Sequence, residues 1–332
     1  MGTALADGVR VRTFAPSEEP PRRAILISPG VHYRGPDDPR FERLCRVLAH
    51  SGRWVVAPYV GDYMRLRVTE AAVADVAAAA RFMLEHPLRG PLAPDVFSIS
   101  FGSLPAFRLA ASELGDQLST LIVFGGYADW VAAARFALTG HDGERQRDDA
   151  DPPNLPVLVS NLLPALPDFL PDDPEHARRD AQALCDAWLA YCRNTWGRDD
   201  MKRGDAFHAP ARTIAESLPE QLRERFLMGC GVVPGARERC EVALARGDWR
   251  HADPTEAIRS VRCRVRAFHG VSDDVIPVNQ VDAMLKLLPP AADGRAYKTG
   301  LYAHTGSRQT MGPLALSREL WTMGHMLREL AG

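Results

Sequence analysis

The chain has 332 residues, 46% of them hydrophobic and 25% charged, with a formal net charge of −2. That composition can fill a large core, and the length fits one large α/β domain with an insertion, or two domains. The near-neutral balance gives no sign of nucleic acid or of an anionic membrane surface as a partner.

The first 23 residues hold no apolar run of signal-peptide length. Residues 9–14 alternate apolar and polar side chains, as an edge strand does. Ala24-Ile25-Leu26-Ile27 is a continuous apolar run, the pattern of a strand buried on both faces. It breaks at Ser28-Pro29-Gly30-Val31-His32-Tyr33, a loop at the end of a central strand, where α/β proteins bind their ligands. Two readings stand for this loop: a plain strand-to-helix connection, or half of an oxyanion hole with the Val31 N–H as donor. Helical periodicity follows over 41–50, with Gly52 as its stop. Residues 54–58 read as a second buried strand and 69–86 as a long Ala-rich helix, capped by Thr69 and ended before Pro87.

Residues 94–99 form the next apolar run, and it ends on Ser100. A small-residue helix starts directly behind it, through Leu104, Ala106, Leu109 and Ala110. Strand, sharp turn with serine, then helix is the geometry that lifts a hydroxyl above the carboxyl edge of a sheet and aims backbone N–H groups at it. The local pattern is S-x-S-x-G, with Ser98 at the position usually held by glycine and Gly102 in place. Residues 118–124 are another buried strand, closing on Gly125-Gly126-Tyr127-Ala128-Asp129. Alternating strands and helices call for a mostly parallel sheet covered on both faces.

The alternation stops over 140–257. A charged run over 141–151 comes first, then a proline-punctuated apolar piece over 155–170, then helical stretches near 177–194, 214–228 and 238–245. We read an inserted helical cap, with a core made of 1–139 and 258–332. Strand character returns over 263–268 and ends at His269-Gly270-Val271-Ser272-Asp273-Asp274-Val275-Ile276-Pro277. A helix over 278–288, a last strand over 295–299, the segment Gly300-Leu301-Tyr302-Ala303-His304-Thr305-Gly306 and a final helix over 316–330 close the chain.

Three side chains thus stand after predicted strands in the order Ser100, Asp273, His304. A serine hydroxyl is a weak nucleophile and needs a base; an imidazole titrates in the right range, and a carboxylate fixes its tautomer. With S-P-G after the early strand, S-I-S-F-G at the turn, H-G-V-S-D-D-V-I-P after the later strand and A-H-T-G near the end, the chain resembles the α/β-hydrolase-fold serine hydrolases. The resemblance covers roughly 24–135 and 262–332. It implies that fold, a mostly parallel sheet flanked by helices with the cap inserted, and a carboxylesterase-like activity through an acyl-enzyme. It implies Ser100 as nucleophile, Asp273 as acid, His304 as base, and Phe101 and Val31 as oxyanion donors, with no metal and no organic cofactor. The chain departs from the family at Ser98 and at Ser28-Pro29-Gly30, where His-Gly is usual.

Asp274 and Asp129 are rival acids, and His269 is a rival base read as structural. His32 and Tyr33, on the loop after the early strand, are candidates for substrate contact. The six cysteines form no C-x-x-C pair and read as free thiols of a cytoplasmic protein. The expected partner is a small acyl substrate, with neither nucleic acid nor membrane involved, and the sequence is silent on oligomeric state. A peptidase, thioesterase or acyltransferase would use the same residues, a carbon–carbon hydrolase is a further option, and a non-catalytic relative would keep the fold alone.

Overall fold

The apolar runs lie side by side in one eight-stranded sheet. The computed structural model describes residues 1–142, 152–166, 168–202 and 204–300, and then Glu319, Trp321, Gly324, His325, Leu327, Arg328 and Glu329. The strands are β1 (Gly2–Ala6), β2 (Val9–Phe14), β3 (Arg23–Ser28), β4 (Arg53–Pro58), β5 (Leu92–Ile99), β6 (Thr120–Phe124), β7 (Arg264–Gly270) and β8 (Arg295–Thr299). Their order across the sheet is β1-β2-β4-β3-β5-β6-β7-β8. The two pairings made by β2 are antiparallel and the others are parallel. Burial explains the sequence pattern. Every residue of β4 is buried, as are the last five of β3, whereas β1 and β8 at the edges carry exposed and half-buried positions.

The chain divides into two compact units. The first comprises 1–64, 68–130 and 250–332 and contains the sheet. In it, α1 (Pro39–His50) follows β3, while α2 (Gly61–Met64) and α3 (Glu70–Glu85) follow β4. Helix α4 (Ser103–Ala111) follows β5. Thr69 sits at the N-cap position of α3, but its hydroxyl donates to Asp62 Oδ2 at 2.6 Å instead of accepting from the helix. Phe14, Ile25, Ile27, Val55, Phe97, Ile122 and Phe268 make one continuous apolar face with Cys45 and Leu48 of α1. Helix α5 (Trp130–Thr139) follows β6, and Trp130 belongs to this first unit.

The second unit, 65–67 with 131–249, is helical among its described residues. It holds most of α5, then α6 (Leu155–Leu162), α7 (Pro174–Thr195), α8 (His208–Glu216), α9 (Glu220–Gly229) and α10 (Ala236–Arg246). Its core centres on Trp188, whose Nε1–H donates to Phe226 O at 3.1 Å. Most of the charged run, 143–151, lies outside the described residues. The chain re-enters the first unit through α11 (Thr255–Arg259), and α12 (Asn279–Leu287) joins β7 to β8. Among the described residues no helix is long and apolar enough to cross a membrane. None of the six cysteines forms a disulfide, and five are buried.

Register decides which side chains share the carboxyl edge. Ser28 lies beside Ser98, Ile99 beside Phe124, Phe124 beside Phe268, and Phe268 beside Tyr297. The residues following these positions therefore leave the sheet in one row. The connection direction reverses between β3 and β5, which opens the crevice where such sheets bind ligands.

Candidate active site

Ser100 is the first residue after β5 and has φ of +53°. A non-glycine residue in the left-handed region is strained and persists only where its surroundings over-determine it. Those surroundings come from the loop after β3. A Cβ added to Gly102 would lie 2.4 Å from Ser28 O and 2.5 Å from Pro29 O, so only glycine fits there. One added to Gly30 would lie 3.1 Å from Ile99 O and 3.3 Å from Ser100 Cβ. Ser28 Oγ also donates to Gly102 O at 2.8 Å. The Ser28-Pro29-Gly30 loop and the Ser100 turn are thus in direct contact. Ser98, the departure from the usual motif, is fully buried and its hydroxyl reaches Ile122 O at 3.4 Å. The extra oxygen is absorbed by the neighbouring strand.

Phe101 follows Ser100, and its ring packs against Tyr127 and Trp130 at centroid distances of 5.3 and 5.9 Å. Val31, His32 and Tyr33 are half-buried just beyond Gly30. His32 stacks on Tyr33 with 4.7 Å between centroids, and its Nδ1 accepts from Arg34 N at 3.2 Å. Burial lowers the His32 pKa below the usual histidine value; the Asp38 carboxylate, 3.6 Å from Nε2, pulls the other way, while Arg40 and Arg34 reinforce the lowering. The ring is therefore biased toward the neutral form.

Asp273 is buried in the turn after β7. Its Oδ1 accepts from Val275 N and Ile276 N, both at 2.9 Å, so Asp273 caps this turn. Gly125, with φ of +60°, passes close to the other oxygen: an added Cβ would lie 3.5 Å from Oδ2. His269 is fully buried and its Nε2–H donates to Ile276 O at 2.9 Å; the same nitrogen lies 3.5 Å from Asp273 Oδ2. Of the rival acids, Asp274 is half-buried and Asp129 is exposed. His304 lies outside the described residues. The described chain runs through β8 to Gly300, and β8 is parallel to β7, so it leaves the sheet at the same edge as Asp273.

Three further residues shape this edge, and the sequence reading did not single them out. Tyr63, in α2, is buried and donates Oη–H to Phe101 O at 2.8 Å. Gln280, in α12, accepts from Ala128 N and Asp129 N, both at 2.9 Å, and so ties the β6 loop to the helix behind the Asp273 turn. Asp253 accepts from Trp130 N at 3.0 Å. Nothing local in the sequence marked any of the three. Among the described residues no group of three His, Cys, Asp or Glu is placed to hold a metal ion.

No family model and no curated protein matches the chain. Solved structures do. One is an acylaminoacyl peptidase in complex with a peptidyl chloromethyl ketone, at 12% identity and a TM-score of 0.50, covering 97% of this chain and 40% of that one. Others are a 2,6-dihydroxy-pseudo-oxynicotine hydrolase, at 15% identity, TM-score 0.46 and coverage of 97% and 66%, and an esterase from Pyrococcus furiosus, at 11% identity, TM-score 0.47 and coverage of 100% and 90%. The chain therefore spans less than two thirds of the first two. At such identities likeness concerns architecture. Together with the strand order it identifies that architecture: the chain has the α/β-hydrolase fold.

Proposed function

We propose that this chain is a serine hydrolase that cleaves a carboxylic ester or a related acyl compound. The observation that carries the reading is Ser100 held at φ of +53° in the turn between β5 and α4, pressed by Gly102 against the loop after β3. That is the position from which a hydroxyl stands clear of a parallel sheet, with the start of a helix behind it to favour negative charge. In this reading Ser100 Oγ attacks the acyl carbon as His304 takes its proton. Asp273 orients and stabilises the imidazolium, and the N–H groups of Phe101 and Val31 hold the oxyanion. The leaving group departs with the proton from His304, which leaves an acyl-enzyme. Water, deprotonated by His304, then releases the acid and restores Ser100.

A fluorophosphonate probe tests this without knowledge of the substrate, because the Oγ–P bond forms as fluoride leaves. The wild type is expected to take the label and Ser100→Ala to take none. The labelling rate should rise with pH through the range where an imidazole loses its proton. A wild type that stays unlabelled at every pH overturns the reading. Chromogenic acyl esters of increasing length, paired with matched amides and thioesters, then separate an esterase from a peptidase or a thioesterase.

A further inference from the structure

Two hydroxyl groups, one from helix α2 and one from the end of β3, bind consecutive carbonyls of the Ser100 turn. Tyr63 donates to Phe101 O and Ser28 to Gly102 O, each at 2.8 Å. Both donors are buried, Tyr63 to 1% exposure and Ser28 completely. Burial raises the Tyr63 phenol pKa far above its usual value, so the group stays a donor throughout the working range. The short helix α2 that carries Tyr63 is itself anchored. Gly61 N donates to Asp75 Oδ2 at 3.2 Å, and Asp62 Oδ2 accepts the Thr69 hydroxyl at 2.6 Å.

These bonds matter because of what the turn must resist. The left-handed backbone at Ser100 relaxes unless its neighbours hold it. Relaxation would rotate the peptide planes after Ser100, and with them the Phe101 N–H. An oxyanion donor acts through fixed aim, since its value lies in needing no reorganisation during the reaction. The carbonyls pinned on the next two residues hold the backbone just beyond Phe101 and so limit how far that N–H can turn.

We propose that Tyr63 is a positioning residue for the oxyanion donor at Phe101, with Ser28 as the second clamp on the same turn. The proposal rests on the serine hydrolase reading above. It makes Tyr63 act on the transition state through the backbone, without touching substrate or base.

The test is the second-order rate of fluorophosphonate labelling of the full chain as wild type, Tyr63→Phe and Ser28→Ala, followed across the histidine range beside the melting temperature of each. Tyr63→Phe should label at least about tenfold more slowly, within the roughly hundredfold that a 1 Å misplacement can cost. Ser28→Ala should also be slower, and the pH midpoint should stay at the wild-type value in both. A labelled wild type with both variants at its rate overturns this inference alone, even if their melting temperatures fall. A shifted pH midpoint also overturns it, since Tyr63 would then be acting through the base. Should Tyr63→Phe fail to fold, Ser28→Ala decides by the same comparison. A wild type that takes no label overturns the hydrolase reading and this inference with it.

Discussion

Ser100 sits where its own chemistry disfavours it. An L-residue in the left-handed region is penalised by roughly 1–2 kcal/mol, because Cβ crowds the following carbonyl, and glycine escapes that penalty. Glycine gives back about 0.5–1 kcal/mol through the extra freedom it loses on folding. Ser100→Gly and Ser100→Ala both remove the hydroxyl, so their difference isolates the backbone term. Ser100→Gly is expected to be the more stable by about 0.5–1 kcal/mol in urea denaturation. The reverse order would contradict the left-handed conformation on which the reading of this residue depends. Asp273 shows the opposite economy. Its carboxylate is buried, but one oxygen collects two backbone N–H groups, which is how a charge is kept in a dry site. The sequence could choose between Asp273 and Asp274 only by motif. In the fold Asp273 is buried and Asp274 half-buried.

At the scale of elements, close approach is what the turn is built on. The Cα of Gly102 lies against the backbone of Ser28 and Pro29, and backbone cannot swing aside for a methyl group. Gly102→Ala should therefore cost about 1–3 kcal/mol, as overpacking does. It should also abolish labelling at Ser100, which guanidinium denaturation and the probe would measure on the same sample. Retained labelling would mean that the turn has more room than its contacts imply. This glycine was legible, since S-x-S-x-G names it, and so were the strands on either side, whose apolar runs begin and end within a few residues of β3, β4, β5 and β7. Tyr63 was not legible. It stands in a four-residue helix too short for periodicity, and its partner is 38 residues away. Gln280 reads as an ordinary helix residue until the fold brings Ala128 and Asp129 to it. Local pattern reports which face of an element is apolar. It carries no record of which distant backbone a buried polar group will meet.

Across the whole sheet, alternation of strands and helices revealed a parallel core, whereas strand order had to come from three dimensions. One feature of that order has no local trace. Arg23 opens β3, Arg53 opens β4, and both reach Asp95 of β5, so one carboxylate ties the first residues of β3 and β4 to β5. Arg23 Nη1 lies 3.0 and 3.2 Å from the two Asp95 oxygens, and Arg53 Nη2 lies 3.3 Å from Oδ2. Asp95 is 1% exposed and Arg53 4%. Such a cluster does not need to be worth much as a whole, because desolvation offsets attraction. Removing one partner is different, since it strands the remaining charges in the interior. Asp95→Ala leaves two guanidinium groups facing each other without a counter-charge, and should lower the unfolding free energy by about 3–5 kcal/mol. The midpoint in urea should fall with little change in slope, the mark of lost stability without a changed extent of unfolding. The cluster is at the opening end of the parallel strands and Ser100 at the closing end, so the folded fraction should label at the wild-type rate. A drop in labelling of the folded protein would show that strain travels the length of β5, and a loss below about 1 kcal/mol would place the Arg53 side chain in water, where such pairs are weak.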